Sequence, residues 1–292
     1  MTVKPYFILM RPANIVTAVA DILAGISIAG LLFVPSSVRD IVCLAVATIG
    51  LYGGGVVYND IFDVELDTTE RPERPLPSGQ VTLQQAHLLG IGLLLMGIVA
   101  ASWVSTTSAV LAVIVAVLAL AYDKFSKHFT VLGPLNMGLC RSFNLLLGVS
   151  ISIVALQQYW YLAAIPLLFI GDITLTSQGE VFGNNRTALK LALLLDYIVF
   201  GILIGLSFFT PYQLFNAFPF LLLWIGMNVQ AKLKAIRHNQ PKMVQNAVKM
   251  GVLSLIPLNA SLAAGFSGWT AGLLVLALFP LSLALAKYFS VT

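Results

Sequence analysis

Long apolar runs separated by short polar stretches divide the 292-residue chain. About 20 apolar residues carry a helix across a bilayer. Runs of that order fall at 12 to 34, 40 to 62, 84 to 104, 107 to 123, 131 to 154, 157 to 178, 188 to 209, 212 to 234, 244 to 266 and 268 to 289. The run at 107 to 123 is the shortest, and Pro257 interrupts the one at 244 to 266. In lipid each segment must satisfy its own backbone hydrogen bonds, so such runs become helices. The pattern predicts an all-α, polytopic membrane bundle of nine to ten transmembrane helices. No Pro/Ser-rich linker interrupts it, so residues 1–292 are expected to form a single integral membrane domain.

Composition agrees: 59% of residues are hydrophobic and 10% charged, with a mean hydropathy of +0.93, which excludes an ordinary water-soluble globule. The net charge of +4 is spread between apolar runs and forms no basic patch, so nucleic acid is not an expected partner. Cys43 and Cys140 lie inside apolar runs without metal-type spacing and read as packing residues. The first run lacks a small-residue cleavage site, so the N-terminus is expected to be retained.

The cationic residues set an orientation. With the N-terminus in the cytoplasm, the inside segments collect Lys4, Arg11, Arg71, Arg74, Lys124, Lys127, Arg186, Lys190, Lys232, Lys234, Arg237, Lys242, Lys249 and Lys287. Arg39 falls outside and Arg141 within a span. This is the asymmetry of the positive-inside rule for an even number of spans, with both termini cytoplasmic. The outside links at 105 to 106 and 210 to 211 are short, whereas the inside links at 63 to 83 and 235 to 243 are longer, so chemistry is expected on the inside face.

The second span runs into Asn59-Asp60-Ile61-Phe62-Asp63-Val64-Glu65-Leu66-Asp67, followed by Arg71 and Arg74-Pro75-Leu76. At about 100° per residue, Asp63 lies roughly 60°, Asp67 roughly 20° and Asn59 about 100° from Asp60, whereas Glu65 points about 140° away. One helix face therefore carries three carboxylates and an amide over a length on the order of 10 Å. Carboxylates crowded in this way repel one another until a cation sits among them. Magnesium suits the set, because it takes one or two carboxylates and completes its shell with water and phosphate oxygens. The forks of Arg71 and Arg74 match phosphate oxygens, on a loop stiffened by Pro72, Pro75 and Pro77.

This stretch resembles the first signature of the UbiA superfamily of intramembrane prenyltransferases. The similarity extends to Arg11-Pro12-x-Asn14 at the first span, to Tyr122, Lys124 and Lys127 after the fourth, and to the hydropathy of most of the chain. The resemblance implies magnesium-dependent transfer of a prenyl group from an isoprenoid diphosphate to an aromatic or other small acceptor. It also implies that Asn59, Asp60, Asp63 and Asp67 hold magnesium and diphosphate, with Arg71 and Lys124 as phosphate contacts. Arg74, Lys127, Asn14 and Tyr122 join the candidate substrate-binding residues.

A second aspartate motif, expected in or just after the sixth span, is not intact. The stretch from Gly171 to Gly183 keeps only Asp172 and Glu180, about 12 Å apart along a helix. Glu180 is the candidate for a second magnesium ligand and a catalytic role beside Asp60, Asp63 and Asp67. The Ser177-Gln178-Gly179-Glu180-Val181 form, the Leu139-Cys140-Arg141-Ser142-Phe143-Asn144 run and the extra tenth span are similar to the EboC branch of that superfamily.

Asp21, Arg141, Asp172 and Asp196 lie inside predicted spans, where a charge needs a partner or a wet cavity. Arg141 is expected to pair with Asp172 or Asp21, with Asn144 on the same helix face. These groups either fix helix packing or line the acceptor end of a cavity; in the second case Arg141, Asn144 and Asp172 contact substrate. His87, His128 and His238 are scattered and interfacial, and no nucleotide-binding loop is present. Two further classes remain. A carrier of a lipophilic or phosphorylated metabolite would keep the first motif without chemistry, and a scaffold subunit would bind no ligand.

Overall fold

In the computed structural model, which describes residues 3–177 and 186–289, the described chain is helical throughout its long elements. In order these are α1 (Lys4–Met10), α2 (Pro12–Ile28), α3 (Val38–Phe62), α4 (Val64–Glu70), α5 (Leu83–Ser102), α6 (Thr106–Lys124) and α7 (Leu132–Val149). There follow α8 (Ile153–Tyr159), α9 (Ala164–Ser177), α10 (Arg186–Phe209), α11 (Leu214–His238), α12 (Pro241–Ser267), α13 (Trp269–Leu276) and α14 (Leu278–Tyr288).

Local chemistry sets the boundaries. Thr82 and Gln85 form a reciprocal capping box at the start of α5, and Ser105 caps α6 through the Ser108 amide. Pro12 opens α2, where its missing N–H costs nothing. The residue before it, Arg11, adopts φ +48, a left-handed conformation that side chains other than glycine enter at a cost. It bends α1 from α2 by 48°. Asn239, also left-handed, ends α11 and lets α12 start at Pro241.

Among the described residues, eight helices or helix combinations are long and apolar enough to cross a membrane, nine if the bent α1–α2 pair counts as one. Each of the ten apolar runs contains helix, and the count of nine falls at the lower end of the expected nine to ten. The run at 131 to 154 becomes α7, an 18-residue helix whose Asn136, Arg141, Ser142 and Asn144 dilute its apolar character. Pro257 does not interrupt its helix: α12 continues through it. The inside link expected at 235 to 243 is mostly helix, reduced to a turn at 239 to 240. Leucine, valine and aromatic side chains such as Leu88, Leu95, Val117, Leu194 and Leu222 face outward along the helices, the surface that lipid solvates. The chain is a multi-pass membrane protein.

Two apolar clusters stand on either side of the bundle. One joins Leu145, Phe169, Val199, Leu221, Trp224 and Leu258; the other joins Ile22, Leu44, Leu51, Leu111, Val115 and Leu147. Helices α2 and α7 run between them in backbone contact. A Cβ on Gly25 would fall 2.4 Å from the Leu145 carbonyl oxygen, and one on Gly148 would fall 2.5 Å from that of Ile22. Only glycine fits at either position, and this close approach brings Asp21 of α2 against the polar face of α7.

Candidate functional site

A cavity of about 370 Å³ lies between α2, α3, α6, α7, α9 and α12. Its walls are mainly apolar, with Leu51, Val56, Val115, Ala119, Met137, Ile170, Ile173, Val252 and Leu255, and with Tyr52 and Tyr122. Arg11, Asn14, Asn59 and Asp123 line one end, and Thr48, Arg141 and Asn144 the other. Asn59 and Thr48 stand about 16 Å apart along the axis of α3.

The charged end is built where α3 gives way to α4. The helix breaks at Asp63, although the bonds from the Asp63 amide to the Asn59 carbonyl (3.0 Å) and from the Asp67 amide to the Asp63 carbonyl (2.8 Å) carry the helical spacing across. The expected face thus survives as two helices. Asp60 and Asp67 are buried, and each of the three aspartates has a cation. Arg11 donates to Asp60 at 2.5 Å, Arg74 to Asp67 at 2.6 Å and to Asp60 at 3.5 Å, and Lys127 to Asp63 at 2.5 Å. The left-handed turn at Arg11 aims its guanidinium here, so the backbone cost at that residue is offset by a charge-assisted bond.

The loop after α4 holds Arg74 in place. Ser78 donates to the Arg74 carbonyl, Val81 to that of Pro75, and Leu76 and Val81 plug into a cluster with Leu9, Val57 and Ile61. Asn59 donates to Asp123 at 3.0 Å, so α6 adds a fourth carboxylate.

The donor set fits a hard divalent cation. Asp60, Asp63, Asp67, Asp123 and the Asn59 amide oxygen offer only oxygen, and each ion pair described engages a single carboxylate oxygen. Among the described residues no three carboxylate, histidine or cysteine side chains enclose a metal by themselves.

At the opposite end, Arg141 donates to Asp21 at 2.9 Å and to Thr17 at 2.7 Å and lies over the Tyr52 ring at 5.1 Å. Asn144 donates to Asp21 and to the Ala18 carbonyl, and accepts from Thr48. Asn259 of α12 completes the node by donating to Asp21 at 2.7 Å. Of the two expected partners of Arg141, the structure pairs it with Asp21.

The structure therefore brings Asn14, Asn59, Tyr122, Arg141 and Asn144 to the cavity, with Asp60, Asp63, Asp67, Arg74 and Lys127 clustered at its charged end. Arg71 is exposed, and Lys124 is exposed against the Phe125 ring at 5.2 Å; neither lines the cavity. Asp172 and Asp196 do not line it either. Both point to Lys232, on the other side of α9 from Ile170 and Ile173. Lys232, counted among interfacial cations from sequence, is buried. Glu180 lies outside the described residues. Sequence reasoning passed over Asp123 although it sits between Tyr122 and Lys124, and it gave Arg11 no role beyond its place in a motif.

Comparison with known proteins follows the same line. The model of the UbiA prenyltransferase family matches residues 19–250. A digeranylgeranylglyceryl phosphate synthase of Sulfurisphaera tokodaii is 29% identical over 180 residues, 61% of this chain and 63% of that protein. The chain thus matches somewhat under two thirds of that curated relative's length. A solved structure concerned with digeranylgeranylglyceryl phosphate synthase in membranes superposes with a TM-score of 0.69 at 20% identity, covering 91% of this chain and 98% of that one. A UbiA homologue from Archaeoglobus fulgidus bound to GPP and Mg2+ gives 0.63 at 12% identity, covering 94% and 99%. At these identities the two structures establish a common fold.

Proposed function

The chain belongs to the UbiA prenyltransferase family, and from that premise we propose that it transfers a prenyl group from an isoprenoid diphosphate to a small acceptor within the membrane. The observation that carries the reading is an apolar cavity with a carboxylate- and cation-rich group at one end and a separate polar node at the other. A prenyl diphosphate has the same division between a charged head and an apolar tail. The relatives' product name points to a glyceryl phosphate acceptor, while an aromatic or other hydroxyl-bearing acceptor fits the cavity's tyrosines and polar node equally.

In this reading Asn59, Asp60, Asp63 and Asp67, with Asp123 added by the structure, hold magnesium, and Glu180 is a further candidate ligand. Bound magnesium supplies charge neutralisation on the diphosphate oxygens. Arg11, Arg74 and Lys127 exchange their internal carboxylates for phosphate oxygens, and the half-buried Lys127–Asp63 pair is the easiest to part. Arg71 and Lys124, at the exposed rim, attract the incoming anion. The bond between the allylic C1 and its oxygen breaks with both electrons leaving on the diphosphate, where the cations meet the growing charge. The acceptor oxygen or carbon then bonds to C1 and passes its proton to the released diphosphate or to water. Asn14 contacts the substrate at the charged end and Tyr122 along the cavity wall, and Arg141 and Asn144 orient the acceptor.

The Ser177-to-Val181 and Leu139-to-Asn144 stretches support the EboC-like branch within the family. A carrier without chemistry is the competing reading, and one observation favours it: Asp172, the surviving described carboxylate of the second motif, is turned away from the cavity. The test is to incubate the protein in lipid nanodiscs with magnesium, allylic diphosphates and a panel of phenolic, polyol and glyceryl phosphate acceptors. Prenylated product by mass with matching pyrophosphate release is expected; tight diphosphate binding without release across the panel favours the carrier.

The cation distribution supports cytoplasmic N- and C-termini. A reporter active only outside the membrane, fused at the C-terminus, should give no signal; a strong signal would mean an odd number of crossings.

A further inference from the structure

Three charged side chains meet away from the cavity, in the buried packing of α9, α10 and α11. Asp172 of α9, Asp196 of α10 and Lys232 of α11 are no more than 1% exposed. The Lys232 Nζ lies 2.5 Å from Oδ2 of Asp172 and 2.6 Å from Oδ2 of Asp196. Among the described residues no other charged group comes within ion-pair distance of the three. On the helices packed around them, Lys190, Lys234, Lys242 and Lys249 are exposed, and Arg141 is committed to Asp21.

Two facts show that the three side chains do not balance one another. With both aspartates ionised, one ammonium faces two carboxylates, and the surplus negative charge is buried with Asp172 and Asp196 at 0% exposure. Independently, Oδ1 of Asp172 and Oδ1 of Asp196 are both fully buried with no hydrogen-bond partner among the described residues. Asn228, one turn before Lys232, cannot help: it spends its amide donors on the Trp224 carbonyl and Ser254, and its own oxygen has no partner among the described residues. The site needs one positive charge and one donor.

We infer that Asp172, Asp196 and Lys232 form a proton-binding site, in which one proton resides on the Oδ1 side of the aspartate pair beside the charged lysine. A single proton removes the surplus charge and converts one orphaned acceptor into a donor. A sodium ion would need several more oxygen ligands and would sit against the ammonium. The neutral triad ties α9, α10 and α11 together behind Ile170 and Ile173, so the outer wall of the cavity is held by ionic contacts without adding net charge near the substrate.

Infrared spectroscopy of the full chain in nanodiscs at neutral pH, with isotope-labelled aspartate carboxyls, tests this. The unmodified protein is expected to show a protonated-carboxyl carbonyl band that is lost in Asp172→Asn and equally in Asp196→Asn, since either variant leaves one carboxylate balanced by Lys232. Spectra unchanged by both substitutions would overturn the inference, because a fully ionised pair has no such band to lose. A band that disappears when sodium is added would also overturn it, in favour of a metal site. Lys232→Met provides a second discrimination that does not depend on the asparagine variants. A triad already holding one proton gains one more protonated-carboxyl unit, whereas a fully ionised pair gains two.

Discussion

Asp63→Ala is expected to lower magnesium-dependent pyrophosphate release by at least about 100-fold, the scale on which loss of one preorganised electrostatic group slows a reaction. Asp63 is the informative choice of the three aspartates because it is only partly buried and, among the described residues, has one ion-pair partner, Lys127. Asp60 is buried between Arg11 and Arg74, so its removal would leave two cations facing each other and confuse folding with catalysis. Losing Asp63 instead releases Lys127 to solvent or to phosphate. Diphosphate binding should therefore persist in the variant while its magnesium dependence falls, and the loss should be concentrated in turnover. Unchanged pyrophosphate release in Asp63→Ala would remove the first aspartate motif from the mechanism. Equal losses of binding and turnover would assign it to substrate retention alone.

Arg141→Met should destabilise the protein by about 3 kcal/mol, at the lower end for breaking a buried ion pair. The lower end applies because Asp21 keeps two amide donors, Asn144 and Asn259. Adding Asp21→Asn should restore part of the loss, since no carboxylate is then stranded; a coupling on the order of 1 kcal/mol or more is the expected signature. Adding Asp172→Asn should restore nothing, because Asp172 belongs to Lys232. Thermal unfolding in a mild detergent distinguishes the two doubles. Strict additivity with Asp21→Asn would mean that Arg141 and Asp21 are neighbours without being partners.

Much of the fold could be read in one dimension because lipid leaves a helix few alternatives: a long apolar run has to satisfy its own backbone. The aspartate face was legible for a related reason, since helical periodicity fixes relative angles within one segment, and even the break at Asp63 preserved them. What a single segment cannot disclose is which way a helix is turned toward its neighbours. Arg141 had two plausible acidic partners, and the choice between them depended on the rotation of α9, which is set by packing against α7, α10 and α12. Lys232 was misplaced by a similar argument. It lies near the end of an apolar run, as interfacial lysines do, but it shares a buried face with Trp224 and Asn228. Asn136, Arg141, Ser142 and Asn144 make α7 a poor span by composition, and those same residues give it the polar face turned toward α2 and the cavity.

The paired glycines of α2 and α7 bear on how the acceptor end of the cavity stays in register. Two smooth helices can slide past each other at little cost, and a slip of one turn would displace Asp21 along α2 by about 5.4 Å, beyond hydrogen-bonding reach of Arg141 and Asn144 together. With Gly25 seated against the Leu145 carbonyl and Gly148 against that of Ile22, backbone interlocks with backbone at a single height, and any side chain carried into either notch by a slip would collide. The absence of two methyl groups thus indexes the axial position of the polar node, much as a detent fixes a sliding part.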